Sequence, residues 1–479
     1  MMKGMNMKAR GLLLLLACLA LMGGGMPRQN VFRLSGMVVD TEGRGIGGVV
    51  VNDGVGFALT GADGRWALVT DTFRSKFVSI STPAGFRLPQ DSGLAAGFFV
   101  PVGRAVAGGG WRFVLERRPV AADSFYYVAV SDPQVRNASD MARWRGEAVA
   151  SLRRTVAALS RSREVVGVAL GDLVFDDMGL FDDYAGSVAG MPMTMFQCIG
   201  NHDFDRRLPA LRHAPEGAPA YAEMAYHRRF GPTDYSFNIG RVHIVTMCNI
   251  DYRGGGRYAE LLSDSQLSWL ERDLSYVSRG SLVILNMHAP GWNREGAAAN
   301  IDNAPRLERA LSGYRVHVFC GHTHFFQNVE VGDSLYQHNI GAASGAWWSG
   351  DVNRCGAPNG YMVAAVNGDS ISWRYVASDR SADSRMRVWA PGTFAGHEGF
   401  VVKSVSCRAL GGGLRPKPLH AVAAAGGRRR CTGRGGLRLG VGHLPSHDSG
   451  LSLAVSRLSW NCSMLSEATV PRAWRALTR

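Results

Sequence analysis

Six short apolar runs stand out along the middle of the chain: FYYVAV from Phe125, VVGVAL from Val165, MTMFQCI from Met193, VHIVTM from Val242, SLVILNM from Ser281 and VHVFC from Val316. Each is short for a helix and too uniformly apolar for a strand with one wet face, which predicts strands buried on both sides. Between them lie stretches of helical period, SDMARWRGEAVASLRRTVAALS from Ser139 and SDSQLSWLERDLSYV from Ser263. The second begins with Ser263 three residues before Gln266, a capping-box signature. Strand and helix alternation of this kind predicts a layered α/β domain over residues 124–378.

The pattern before it is different. From residue 30 to 118, β-branched runs are broken by DTEG, NDG and GADG, the turn chemistry that separates strands. A small all-β unit is predicted there, joined to the α/β domain through LERRPVAADS, Leu115 to Ser124. It resembles the carboxypeptidase-regulatory-like β-sandwich, in GMVVDTEGRGIGGVVV and TGADGRWAL, and holds no titratable cluster, so it reads as a structural or spacer module.

Residues 1–26 place Lys3, Lys8 and Arg10 before an apolar run from Leu12 to Met22 and then small residues, the order of a cleaved export signal. The run is shorter than the roughly 20 residues a membrane span requires. Periplasmic or secreted localisation is therefore expected, with lipidation at Cys18 as the secondary reading. The eight cysteines show no CxxC and no zinc-ligand spacing; Cys198 and Cys320, each ending an apolar run, read as buried small thiols.

The formal charge of +14 changes meaning once it is located. Residues 401–479 hold 13 Lys and Arg against Asp448 and Glu467, a net +11, which leaves +3 for the first 400 residues. No nucleic-acid partner is expected for the body of the protein.

The segments just after the apolar runs are chemically more specific. FYYVAV leads to Asp132 and Gln134; VVGVAL to Gly171, Asp172, Asp176 and Asp177; MTMFQCI to Gly200, Asn201, His202 and Asp203; SLVILNM to His288; VHVFC to Gly321, His322 and His324. Taken singly, each has a bland explanation, as a turn, a solvated acidic loop or a hydrogen-bonded histidine. Taken together, polar groups released at five strand ends can converge, because ligands of α/β sheets bind beyond the carboxyl ends of the strands. Carboxylate, amide and imidazole form a ligand set for divalent metals, and Asp172 is placed to bridge two of them. The glycines at 171, 200 and 321 suit sharp turns and close backbone approach.

In this order the motifs DPQ, GDLVFD, GNHD, His288 and GHTH resemble the calcineurin-like metallophosphoesterase superfamily, and GDLVFDDMGLFDDY, FGPTDYSFNIGRVHIV and QHNIGAASGAWWSGDVNRCGAPNGY resemble its exported bacterial three-part subgroup. The resemblance implies a β-sandwich flanked by helices and two divalent ions. One ion would be held by Asp132, Gln134, Asp172 and His324, the other by Asp172, Asn201, His288 and His322. It also implies that His202 acts as general acid or as a donor to a phosphoryl oxygen, oriented by an aspartate of the 176–177 pair, foremost Asp176, and that the nucleophile is a metal-activated water.

Gln134 stands where the family usually has histidine. An amide oxygen favours Mn²⁺ or Mg²⁺ over Zn²⁺, with iron also compatible, and the same replacement occurs in a manganese-dependent branch acting on nucleoside diphosphates. A small-molecule diester or pyrophosphate is accordingly favoured over a monoester. The competing reading is a non-catalytic surface binding protein with a degenerate metal site. Intact Asp172, Asn201, His202, His288, His322 and His324 argue for the enzyme.

GAWWSGDVNR offers Trp347, Trp348, Asp351, Asn353 and Arg354 near the substrate, the tryptophan pair reading equally as a stacking platform or a buried anchor. SRMRVWAPGTF, in the region from 384, begins like the subgroup's third domain. After about Gly399 the text turns Arg- and Gly-rich with no sustained period. A reading-frame shift is the preferred explanation, a basic arm for an anionic surface the alternative.

Overall fold

The computed structural model describes residues 31–206, 221–292, 301–353 and 355–378, and beyond 378 only the backbone of four strand segments of two or three residues. The expected export signal, including Cys18, lies outside the described residues, as does most of the basic tail.

Each apolar run forms a strand. In the α/β half these are β10 (Ser124–Val130), β11 (Glu164–Leu170), β12 (Thr194–Cys198), β14 (Val242–Thr246), β17 (Leu282–Asn286) and β18 (Arg315–Cys320), joined by β13 (Tyr235–Ile239), β19 (Gln327–Gly332), β20 (Leu335–Asn339), β21 (Gly360–Asn367) and β22 (Ser370–Ala377). A hairpin of β15 (Ile250–Gly254) and β16 (Arg257–Glu260) pairs only with itself. β10, β11 and β12 run parallel in one sheet, and β14, β17, β18 and β20 run parallel in the other.

The two sheets pack face to face. Phe125, Tyr127, Val166, Val168 and Phe196 from one meet Phe237, Ile244, Ile284 and Phe319 from the other. The outer face of the first sheet is covered by helices at 138–159 and 181–188, through Met141, Leu152, Val156 and Tyr184. The outer face of the second is covered by Asp264–Leu274 and Ala304–Leu311, through Leu267, Leu270, Leu307 and Leu311. Burial on both faces explains why these strands show no alternation in sequence.

The predicted capping box forms, with Gln266 N–H donating to Ser263 Oγ at 3.3 Å and Ser263 N–H to Gln266 Oε1 at 2.9 Å. The first helical stretch departs from the expected regular helix, because Trp144–Val149 form a π-helical segment. That widening seats Trp144, fully buried, with its indole N–H 2.7 Å from Ser187 Oγ and its ring stacked on Tyr184. Trp144→Ala is expected to cost about 3–5 kcal/mol, visible as a lowered midpoint in urea unfolding.

The N-terminal unit contains two small sheets. One is formed by β1 (Val31–Asp40), β4 (Arg65–Asp71) and β9 (Trp111–Leu115), the other by β2 (Val50–Asn52), β3 (Phe57–Leu59), β5 (Phe77–Ser81) and β8 (Phe99–Pro101). It is structural rather than a spacer. Its β6 (Gln90–Asp91) and β7 (Leu94–Ala95) extend the first sheet of the α/β half beyond β12, giving the order β22-β21-β10-β11-β12-β7-β6. Lys76 reaches Glu223 across the junction at 2.8 Å, Phe98 packs on Phe196, and the predicted linker is docked, with Ala122 buried and Arg118 paired with Glu164. No helix among the described residues is long and apolar enough to cross a membrane. Cys198 and Cys320 are buried thiols, as their apolar settings predict.

Candidate metal centre

The parallel strands deliver their polar groups at one end of the sandwich, where the backbone is locally strained. Asp132, Gln134, Asp172, Asp176, His322, His324, Trp347 and Trp348 all have positive φ, and Ser92 is the one other described non-glycine residue that does. Such conformations cost about 1–3 kcal/mol each and persist where neighbours over-determine them. Here the neighbours are main-chain bonds between strand ends: Gln134 N–H to Asp172 O at 2.8 Å, Asp132 N–H to Gly171 O at 3.2 Å, and Asp176 N–H to His202 O at 3.1 Å.

Close approach requires the glycines. A Cβ on Gly200 would lie 2.3 Å from Asp172 Oδ1, one on Gly321 2.5 Å from Asp132 Oδ2, and one on Gly171 2.6 Å from His288 Nδ1. Gly171 also has φ +91°.

Around Asp172 the side chains close into a cluster. His288 Nε2 is 3.3 Å from Asp172 Oδ1, 3.1 Å from Asn201 Oδ1 and 3.2 Å from His322 Nδ1. Donor atoms of Asp172, His288 and His322 all lie within 4.8 Å of one another. Beside this cluster, His324 Nε2 is 3.5 Å from Asp132 Oδ1, and Gln134 Nε2 donates to Asp172 Oδ2 at 2.7 Å. Asp132 Oδ1 and Gln134 Oε1 are buried without a hydrogen-bond partner among the described residues. Gln134 Oε1, and Asp132 Oδ1 with only the 3.5 Å ion pair to His324, fit a cation in this setting of carboxylate and imidazole, since an unmatched buried acceptor is otherwise costly.

The electrostatics agree. Burial alone would push the Asp172 carboxyl up, yet His288, with His202 and His322, holds it well below the usual carboxylate range. Asp132 is likewise lowered, its burial outweighed by His324. His288 shows the reciprocal effect, with burial overcome by Asp172 so that its pKa is pushed up to about 10. Asp203 is different, pushed up to about 7 by burial and then by Asp172. Its carboxylate accepts the N–H of Gly200 at 2.9 Å and of Val174 at 3.2 Å and holds the GNHD turn together.

His202 sits at the rim. Its Nδ1 is 2.9 Å from Asp176 Oδ1, its ring stacks on Phe175 at 3.8 Å, and its backbone N–H donates to Asp172 Oδ1 at 2.8 Å. Asp177 instead caps the 178–180 turn through Gly179 N–H. Arg206, which sequence reasoning missed, donates to Asp176 Oδ2 at 3.1 Å. Glu260, also missed, accepts from His322 Nε2 at 2.9 Å. GHTH therefore points its histidines to different places, His322 to the Asp172 cluster and His324 to Asp132.

The tryptophans divide their roles. Trp348 is the buried anchor, its indole N–H donating to Pro133 O at 2.8 Å and the Arg143 guanidinium lying over its ring. Trp347 is half-buried with its ring 5.0 Å from that of His324. Asn353 is buried and accepts Ala342 N–H at 2.7 Å, tying the loop to itself. Arg354 lies outside the described residues.

Three family models match in succession: the N terminal of calcineurin-like phosphoesterase over residues 33–118, calcineurin-like phosphoesterase over 127–326, and the C terminal of calcineurin-like phosphoesterase over 337–404. No curated protein matches the chain. Solved structures to which it is similar include a dimetal phosphatase from Danio rerio, at 14% identity over 55% of this chain and 96% of that one, TM-score 0.36. A purple acid phosphatase from yellow lupin is 13% identical over 55% and 53%, TM-score 0.40. A 5'-nucleotidase from Candida albicans is 14% identical over 55% and 53%, TM-score 0.33. The chain spans about half the length of the latter two. With its three parts matched in order, the chain belongs to the calcineurin-like metallophosphoesterase superfamily and is a metal-dependent phosphoric ester hydrolase.

Proposed function

We propose that this protein is an exported binuclear phosphoesterase of the periplasm or cell exterior, preferring diesters or pyrophosphates of small molecules over monoesters. The observation that carries the catalytic reading is the convergence of Asp132, Gln134, Asp172, Asn201, His288, His322 and His324, with Gln134 Oε1 left without a hydrogen bond among the described residues. Asp132, Gln134, Asp172 and His324 would hold one ion; Asp172, Asn201, His288 and His322 would hold the other. Bound divalent ions at such a site clamp the phosphoryl group and make water nucleophilic at neutral pH. The amide of Gln134 supports Mn²⁺ as the preferred metal, because hard oxygen ligands suit Mn²⁺ better than Zn²⁺.

The protein's own part is positioning and proton transfer. Asp176 accepts the hydrogen bond of His202 Nδ1–H, and with the ring protonated at both nitrogens Nε2–H is left to donate to the leaving oxygen or a phosphoryl oxygen. Phe175 fixes the ring plane from one side. Export is supported by Lys3, Lys8 and Arg10 ahead of the apolar run Leu12–Met22.

The test is hydrolysis of bis-p-nitrophenyl phosphate and p-nitrophenyl phosphate, with Mn²⁺ or chelator, beside Asn201→Ala. Turnover is expected with Mn²⁺, faster on the diester, and abolished by chelator and in the variant. A folded protein that binds no metal and turns over neither ester would overturn the reading in favour of a binder. Detection of the protein in the periplasmic or culture fraction, against the cytosol, tests export.

A further inference from the structure

We propose that Glu260, on the β15–β16 hairpin, is a positioning residue that fixes the ring of His322 for metal binding; this rests on the ligand set proposed above. Each of the three histidines has one ring nitrogen committed away from the cluster. His288 Nδ1–H donates to Leu170 O at 2.7 Å and His324 Nδ1–H to Gly345 O at 2.6 Å, both main-chain carbonyls that the fold sets in place. His322 alone relies on a side chain, donating Nε2–H to Glu260 Oε1 at 2.9 Å. A carboxylate accepts and does not donate, so this bond selects the tautomer whose Nδ1 carries the lone pair.

That lone pair faces His288 Nε2 across 3.2 Å, an approach made favourable by a hydrogen between the two nitrogens or by a cation in its place. Without Glu260, His322 could exchange tautomer or turn its ring, and the cluster would lose a ligand.

The hairpin is held firmly enough for the task. Leu261 N–H bonds Asn249 O at 3.1 Å to close its base. Asn249 in turn bonds both ways to Ala289, next to His288, at 2.7 and 3.0 Å. Tyr252 stacks on Phe204 at 4.9 Å, which ties the hairpin flank to the segment carrying Asn201 and His202. Tyr258 sets its edge against the His322 ring. The side chains of Glu260 and His322 are each about 15% exposed, so water screens the pair little.

Mn²⁺ titration of the full chain followed by electron paramagnetic resonance tests the assignment. Wild type is expected to bind two ions; Glu260→Ala should weaken one of them about 10–100-fold, the scale for losing a partner of a metal-bound histidine. Glu260→Gln should recover most of that loss, since neutral carbonyls serve His288 and His324. In a His322→Ala background, Glu260→Ala should cost nothing further. In metal-free protein with ¹⁵N-labelled histidine, His322 should be protonated at Nε2 in wild type and lose that single form in Glu260→Ala.

Wild-type affinity in Glu260→Ala would overturn the proposal. So would an equal loss in the His322→Ala background, which would place the effect in the fold, or no recovery with Gln. A wild-type chain that binds no ion would overturn this proposal and the metal-site reading together, whereas two ions bound equally by wild type and Glu260→Ala would overturn the positioning role alone.

Discussion

Replacing His202 with alanine should lower phosphoester turnover about 10²–10⁴-fold, the range for losing a positioned general acid, while leaving metal binding unchanged. The two effects separate because the hydrogen bond from His202 to the cluster is made by its main chain, N–H to Asp172 Oδ1 at 2.8 Å. Its side chain is directed elsewhere, with Nδ1 on Asp176, whose other oxygen takes Arg206 Nη1. At 17% side-chain exposure it is open to substrate, while His288 and His324 are at 0% and 2%. If His202 protonates the leaving oxygen, the loss should be smaller for p-nitrophenol, a good leaving group, than for an alkyl ester. An equal loss on both would assign His202 to the phosphoryl oxygen instead. Unchanged turnover on both substrates would remove it from the chemistry. Asp176→Asn should act in the same direction through the orientation of the ring.

A single methyl group at Gly200 or Gly321 should be as damaging as loss of a ligand. In Gly200→Ala the new Cβ would meet Asp172 N at 2.2 Å and Oδ1 at 2.3 Å; in Gly321→Ala it would meet Ser131 Oγ at 1.6 Å and Asp132 Oδ2 at 2.5 Å. Neither contact can relax by moving a flexible side-chain end alone, because both aspartates are buried and pinned by main-chain N–H groups. His202 N–H holds Asp172 and His322 N–H holds Asp132. Both variants should lose Mn²⁺ affinity by about 100-fold or more, above the loss from a supporting partner alone, with far-UV circular dichroism unchanged. Gly186, in the 181–188 helix with open space around its Cβ position, is the control. Gly186→Ala should stabilise the protein by about 0.5–1 kcal/mol and leave metal binding intact. Wild-type metal affinity in Gly200→Ala and Gly321→Ala would show that the strand ends can open without displacing Asp172 and Asp132.

Much of the catalytic half was legible because its signals are local. A short uniformly apolar run marks a strand buried on both faces, and the runs at 125, 165, 193, 242, 281 and 316 each became a strand within a residue or two. The capping box at Ser263 was legible for the same reason, since its two bonds join residues three apart. For the N-terminal unit the sequence left the structural and spacer readings open, because the deciding contact is remote. Its β7 pairs with β12 through Leu94 and Met195, and two residues a hundred positions apart leave no period in either segment.

The site shows the same division. Sequence alone determined which residue types reach one end of the sandwich and in what order, because parallel strands of similar length must release the residues after them on the same side. Only the tertiary structure decided what those residues do there. It took Asp176 rather than Asp177 to His202, made Trp348 an anchor and left Trp347 beside His324, and set Asn353 inside its own loop. It also brought Arg206 and Glu260 to the cluster from segments with no motif. A hydrogen bond across the fold depends on the orientation of two side chains, and orientation is fixed by packing among residues far apart in the chain.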